Sequence, residues 1–244
     1  IEKMEIITYK KSREGHKEYK NFLISLIEKH NLVSICDIGG GANPILDLKY
    51  IKKKNIEYSI LDISETELNK APIGYSKVLA DISDPQIKIN CGYDLIFSKM
   101  LAEHIKDGKQ FHKNTFKLLN NNGIAVHFFP TLYSLPFIIN LLIPEKLASK
   151  VLHYLMPNRD SFQHAKFPAY YNWCRGPLKS QISKFNNIGF KVFKYIGLFG
   201  HENYYNKFKV LRRLHKLKTD YLLKYPLPLL TSFAIVVLKK VKSV

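Results

Sequence analysis

The chain has 244 residues, 46% of them hydrophobic, with 38 Lys plus Arg against 20 Asp plus Glu. That apolar content excludes a chain too poor in core residues to fold, and the length suits one ordinary-sized domain or a domain with a substantial appendage. Of the net charge of +18, residues 131–244 hold +15, so any attraction for phosphates, acidic glycans or an anionic membrane belongs to that half.

In chain order, apolar positions 19, 22, 23, 26 and 27 fall on one helix face and predict a helix over residues 18–30. Residues 33–38 read as a short buried strand, followed by Gly39-Gly40-Gly41-Ala42-Asn43-Pro44 and a helix beginning near Pro44. Further strands are expected at residues 58–62, 76–81, 93–98 and 123–129, with helices between them, the clearest at residues 101–119. Strands alternating with helices specify parallel βαβ units, and so a Rossmann-like α/β three-layer sandwich with a mostly parallel central sheet. After Pro130 the rhythm breaks into an apolar, Pro-punctuated helical insertion, Leu132 to Met156. Alternation resumes with a helix near 178–187, a strand at 190–196, a basic helix near 206–224 and a last strand at 231–238. The expected organisation is an N-terminal helical cap (1–32), a Rossmann-like core (33–130), an apolar and aromatic insertion or lid (131–177), and the remainder of the sheet with basic helices (178–244).

Three cysteines, Cys36, Cys91 and Cys174, form no C-x-x-C pair and indicate neither a disulfide framework nor a metal site. The apolar runs fall short of a bilayer span, and the residues from Ile1 onward show no secretory signal. The expectation is a cytoplasmic protein, with peripheral membrane contact an option for the insertion and its basic surroundings.

The glycine turn lacks the third glycine of a dinucleotide-binding loop, because Pro44 stands there and removes an N–H. Instead, Asp37-Ile38-Gly39-Gly40-Gly41 at the end of an apolar strand resembles motif I of the class I S-adenosylmethionine-dependent methyltransferases. Order and spacing downstream extend the resemblance over residues 33–129: Asp62 ends the second strand, Asp81 the third, and Tyr93-Asp94-Leu95-Ile96-Phe97-Ser98 leads into Leu101-Ala102-Glu103-His104-Ile105. Asn43 departs from the glycine common at that point of the family's loop, and asparagine tolerates left-handed backbone.

The resemblance implies S-adenosylmethionine as cofactor. Glycines 39 and 41 would let the backbone approach it, and the following helix N-terminus would receive its carboxylate. Asp62 would accept from the ribose hydroxyls and Asp81 from the adenine amino group, with Ile63 and Ile82 sandwiching the ring and Ser98 beneath the sulfonium. Arg13, beside Tyr9 and His16, is a candidate for the carboxylate or a solvent-exposed tail residue. Methyl transfer to a neutral hydroxyl needs a base, and His104, His127, His164 and His201 are the candidates. Residues 166–177 concentrate aromatics and cations, among which Tyr170, Tyr171 and Arg175 suit a sugar or an anionic group, or else a packed plug.

Neither the Asn/Asp-Pro-Pro-aromatic signature of nucleobase amino methylation nor a Pro-Cys nucleophile is present. The expected acceptor is an anionic small molecule, glycan or lipid-linked molecule, methylated at oxygen. RNA methylation through the basic C-terminal region and a non-catalytic scaffold are the alternatives.

Overall fold

Central strands of a parallel sheet bury both faces, and the expected strands at residues 33–38, 93–98 and 123–129 are largely buried here, whereas the one at 76–81 lies at an exposed edge. The computed structural model describes residues 6–89, 92–133, 138, 168–205 and 207–241. Eight strands form one sheet: β1 (Ile6–Lys11), β2 (Ser34–Ile38), β3 (Glu57–Asp62), β4 (Ser76–Leu79), β5 (Tyr93–Lys99), β6 (Leu119–Pro130), β7 (Phe190–Phe199) and β8 (Phe233–Lys240). Their order is β1-β7-β8-β6-β5-β2-β3-β4, parallel except for β8, which runs antiparallel to both β6 and β7. The helices are α1 (Ser12–His30), α2 (Leu48–Lys53), α3 (Glu65–Lys70), α4 (Gly108–Leu118), α5 (Lys179–Asn186) and α6 (Lys209–Lys224). This is the expected Rossmann-like, mostly parallel α/β fold.

β2 pairs with β3 on one side and β5 on the other. The chain therefore reverses its direction across the sheet at β2, and ligands in open α/β sheets bind beyond the strand ends at such a point. The glycine loop follows β2 directly.

Three local differences from expectation have physical causes. Residues 6–11 are an edge strand paired in parallel with β7, and α1 starts at Ser12, so the N-terminal segment completes the sheet rather than only capping it. The helix expected at Pro44 begins at Leu48 instead, because the Asp37 carboxylate captures the Ile45 N–H and holds residues 39–47 as a loop. The long helix expected over 101–119 is a short 3-10 turn (Ala102–His104) followed by α4, whose N-cap Asp107 accepts from the Gln110 N–H.

Most of the insertion, including Leu141 to Met156 and His164, lies outside the described residues, as does Cys91. Its start is anchored just before β8, where Thr131 N–H donates to the Ser232 carbonyl at 3.0 Å, and its two ends are tied to each other by Leu132 N–H donating to the Cys174 carbonyl at 3.1 Å. Cys36 and Cys174 are buried. Among the described residues no helix is long and apolar enough to cross a membrane.

Candidate active site

The glycine loop lines a cavity of about 360 Å³ with Asp37, Ile45, Glu67, Lys99 and Met100. Gly39 (φ 74°) and Gly41 (φ 36°) occupy left-handed backbone, whereas Asn43 does not, so the turn rests on the glycines alone. A Cβ on Gly39 would meet Leu101 at 2.9 Å, and one on Gly40 would meet the Asp37 carboxyl at 2.8 Å. Ile38 is core, 2% exposed.

Asp37 is the clamp that sets this loop. Its Oδ2 accepts from the Tyr58 hydroxyl at 2.6 Å and from the Ile45 N–H at 3.1 Å. Burial pushes its pKa up to about 7, against the opposing effect of those two hydrogen bonds. Its first task is therefore to fix the loop backbone.

Asp62, at the carboxyl end of β3, is half-buried. Oδ1 accepts from the Ser64 N–H at 2.9 Å, while Oδ2 lies 3.0 Å from where a Gly41 Cβ would stand. The loop and the carboxylate thus face one another at the spacing a glycine alone permits, and burial raises the Asp62 pKa. Ile63 is 63% exposed beside it, but Ile82 is 4% exposed and packs into the core, so the two do not form an open slot. Asp81 accepts from the Ser83 N–H and hydroxyl, both at 2.7 Å, which makes it a turn residue in this structure. The expected helix N-terminus is also taken: Asp47 caps α2 through the Tyr50 N–H at 2.9 Å.

At the end of β5, Ser98 is fully buried and its hydroxyl shares a 2.9 Å hydrogen bond with His127 Nδ1. His127 has no exposed surface and packs between Phe111 and His112, and burial lowers its pKa to about 3. Neither side chain lines the cavity, and His127 is a core histidine closed to an acceptor. The residues that do reach the cavity here are Lys99 and Met100. Lys99 Nζ lies 5.9 Å from the Tyr19 ring centroid, and burial depresses its pKa. Met100 has φ 56°, a strained conformation for an unbranched non-glycine residue, and such strain gathers at functional sites.

His104 stands on the turn after β5, partly exposed. Its Nδ1 is 3.0 Å from the Pro168 carbonyl oxygen, which can only accept, so Nδ1 carries the proton and Nε2 is the basic nitrogen. Nε2 is 3.7 Å from Glu103 Oε1. Glu103 is 3% exposed, its Oε2 has no hydrogen-bond partner among the described residues, and burial pushes its pKa up to about 8. Its carbonyl receives the N–H groups of Tyr170 (2.7 Å) and Tyr171 (3.0 Å), joining the aromatic segment to this turn.

Of the three expected acceptor contacts, only Tyr170 is open, at 43% exposed. Tyr171 is 3% exposed, with φ 50°. Arg175 donates to the carbonyls of Tyr171 (2.7 Å) and Cys174 (3.0 Å) and lies 5.1 Å from the Tyr133 ring centroid, so it braces the segment. Arg13, His16 and His201 line a different cavity, between α1 and α6. His201 is 7% exposed and its ring nitrogens meet the Ser232 and Tyr205 hydroxyls.

Asp37, glycines 39–41, Asn43 and Asp62 are thus brought together, with His104 on the same edge of the sheet. Glu67, Lys99 and Met100 were absent from the sequence reading. Lys99 and Met100 directly follow Ser98, and Glu67 lies five residues after Asp62, so proximity to strand ends was the available signal.

No family model and no curated protein matches the chain. Among solved structures, an S-adenosylmethionine-dependent methyltransferase from Clostridium acetobutylicum is similar at 15% identity and TM-score 0.54, covering 92% of each chain. The N-methyltransferase NodS from Bradyrhizobium japonicum, solved with S-adenosylhomocysteine, is similar at 10% identity and TM-score 0.50, over 92% of this chain and 86% of NodS. The cyclase SpnF is similar at 11% identity and TM-score 0.54, over 93% of this chain and 82% of its own. With a glycine loop after β2, an acid ending β3 and an antiparallel β8 between β6 and β7, the chain shares the Rossmann-like fold of these structures.

Proposed function

We propose that this chain is an S-adenosylmethionine-dependent methyltransferase acting at oxygen on a small-molecule, glycan or lipid-linked acceptor. The observation that carries the reading is the pairing of a left-handed glycine loop, clamped by Asp37, with the Asp62 carboxylate facing it across Gly41. These residues fit the cofactor: a Cβ at Gly39 or Gly40 would crowd the loop's own supports, and Asp62 Oδ2 is aimed where ribose hydroxyls could donate. When bound, the cofactor supplies an electrophilic methyl on sulfur.

The chain's residues then have distinct tasks. Glycines 39–41 admit the ligand to the backbone, Asp62 orients it, and Lys99 with Met100 closes the side towards the acceptor. His104 Nε2 takes the proton of the attacking hydroxyl, its tautomer set by the Pro168 carbonyl. Substituting His104→Ala should lower turnover at least tenfold while leaving cofactor affinity within about twofold; equal activity would remove His104 as the base.

Labelled methyl from S-adenosylmethionine, followed into the lipid, glycan, small-molecule, RNA and protein fractions of an extract, tests the acceptor class. Label in lipid, glycan or small molecules supports the proposal. Label in RNA favours the second reading, which rests on the +15 of residues 131–244, and no label in any fraction counts against methyl transfer.

A further inference from the structure

A second cavity, of about 1100 Å³, opens between the start of α1, the end of β7 and one face of α6. Six cations line it: Lys11 from the end of β1, Arg13 from the start of α1, and Lys209, Arg212, Arg213 and Lys216 from α6. The α6 residues share one face at three- and four-residue spacing, while His215, Thr219 and Leu222 turn to the protein body. One acid, Glu202, is among the lining residues. Lys11 is already paired with Asp220 at 2.8 Å. Arg13, Lys209, Arg212 and Arg213 make no ion pair with a carboxylate among the described residues.

Like charges gathered around a hollow repel one another, so the arrangement weakens the folded state unless an anion fills it. The floor adds no charge of its own, since burial, aided by Lys99, lowers the pKa of His16 to about 4, and burial, aided by His215 and Lys218, lowers that of His201 to about 3. Several guanidinium groups lining one hollow, Arg13, Arg212 and Arg213, favour a tetrahedral oxyanion with several acceptor oxygens over a single carboxylate. The hollow is also far larger than one phosphate group, and Phe199, Tyr204 and Phe233 supply apolar wall for an organic remainder. Both α1 and α6 begin here without a side-chain N-cap, which adds N–H groups of the right polarity.

We infer that the cavity between α1 and α6 is a binding site for a phosphate ester, with Arg212 and Arg213 as its chief ligands. The site is separate from the glycine-loop cavity and stands or falls independently of methyl transfer. The ester can be a free phosphorylated molecule or a lipid headgroup, and two probes separate these sources.

Binding is measured by calorimetry with glycerol 3-phosphate and by co-sedimentation with phosphatidylcholine vesicles, with and without phosphatidic acid. The wild-type chain, the double variant Arg212→Gln/Arg213→Gln, and a control with Lys113→Gln/Lys117→Gln on exposed positions of α4 are compared. The expected result is binding of at least one probe, weakened about tenfold or more in the arginine variant and unchanged in the control. Glycerol 3-phosphate binding assigns a free ester; binding only to phosphatidic acid vesicles assigns a headgroup. Binding of neither probe, or equal weakening in both variants, overturns the site. S-adenosylhomocysteine titrated into the same three samples reports on the cofactor cavity alone, so failure of one site is not mistaken for failure of the other.

Discussion

Asp37 is 1% exposed, and its carboxylate is held by the Tyr58 hydroxyl and the Ile45 N–H. Glu103 is similarly buried, without a partner for Oε2 among the described residues. Their folded-state values, about 7 and about 8, lie above the ordinary carboxyl range near 4. The folded state therefore binds more protons than the unfolded chain between about pH 4 and pH 8, and their contribution to stability falls as pH rises through that window. Urea midpoints should drop between pH 5 and pH 8, and Asp37→Asn with Glu103→Gln should flatten that slope; an unchanged slope would contradict these assignments. Gly39 sets a second residue-scale expectation. Alanine there must adopt φ 74° and push Leu101 aside, costing about 1–3 kcal/mol by denaturant unfolding, and a neutral result would mean the loop relaxes freely.

α6 presents three faces with different fates. His215, Thr219 and Leu222 pack inward, Lys209, Arg212, Arg213 and Lys216 face the second cavity, and Val210, Leu214, Leu217 and Tyr221 are 57–73% exposed. Truncating the packed face with Leu222→Ala should cost about 2–5 kcal/mol, whereas Leu217→Gln should change stability by no more than about 0.5 kcal/mol. A large loss at Leu217 would show that the apolar stripe is covered in solution. Elements were legible in the sequence where burial enforced a pattern: β2, β5 and the 123–130 part of β6 are almost wholly buried, and β8 falls within two residues of its expected position. β1 was not legible, because an edge strand reading Ile-Ile-Thr-Tyr-Lys-Lys mixes apolar residues with exposed cations and needs β7 beside it to be a strand.

At the scale of the molecule, the sheet order collects residues far apart in sequence on one edge: the loop after β2, Asp62 after β3, Lys99 to His104 after β5, and the hollow beyond β7. The glycine loop and Asp62 were readable because their spacing is fixed by a strand and a turn. Lys99, Met100 and Glu67 were not, since what selects them is which side chain faces the cavity. His127 and Ser98 were misplaced for the complementary reason: a position near a strand end does not say which face of the sheet a side chain enters, and both enter the core. The same edge carries two cavities of different electrostatic character, one with Asp37, Glu67 and Lys99 and one ringed by cations.

The most direct test of the central claim is calorimetric titration of S-adenosylhomocysteine into the wild-type chain and Asp62→Ala. The wild type should bind, and the variant should bind at least about tenfold more weakly, because it loses hydrogen bonds to a charged acceptor, with its thermal unfolding unchanged. Absence of binding to the wild type, or equal affinity in a folded Asp62→Ala, would contradict the assignment of the glycine-loop cavity as the cofactor site.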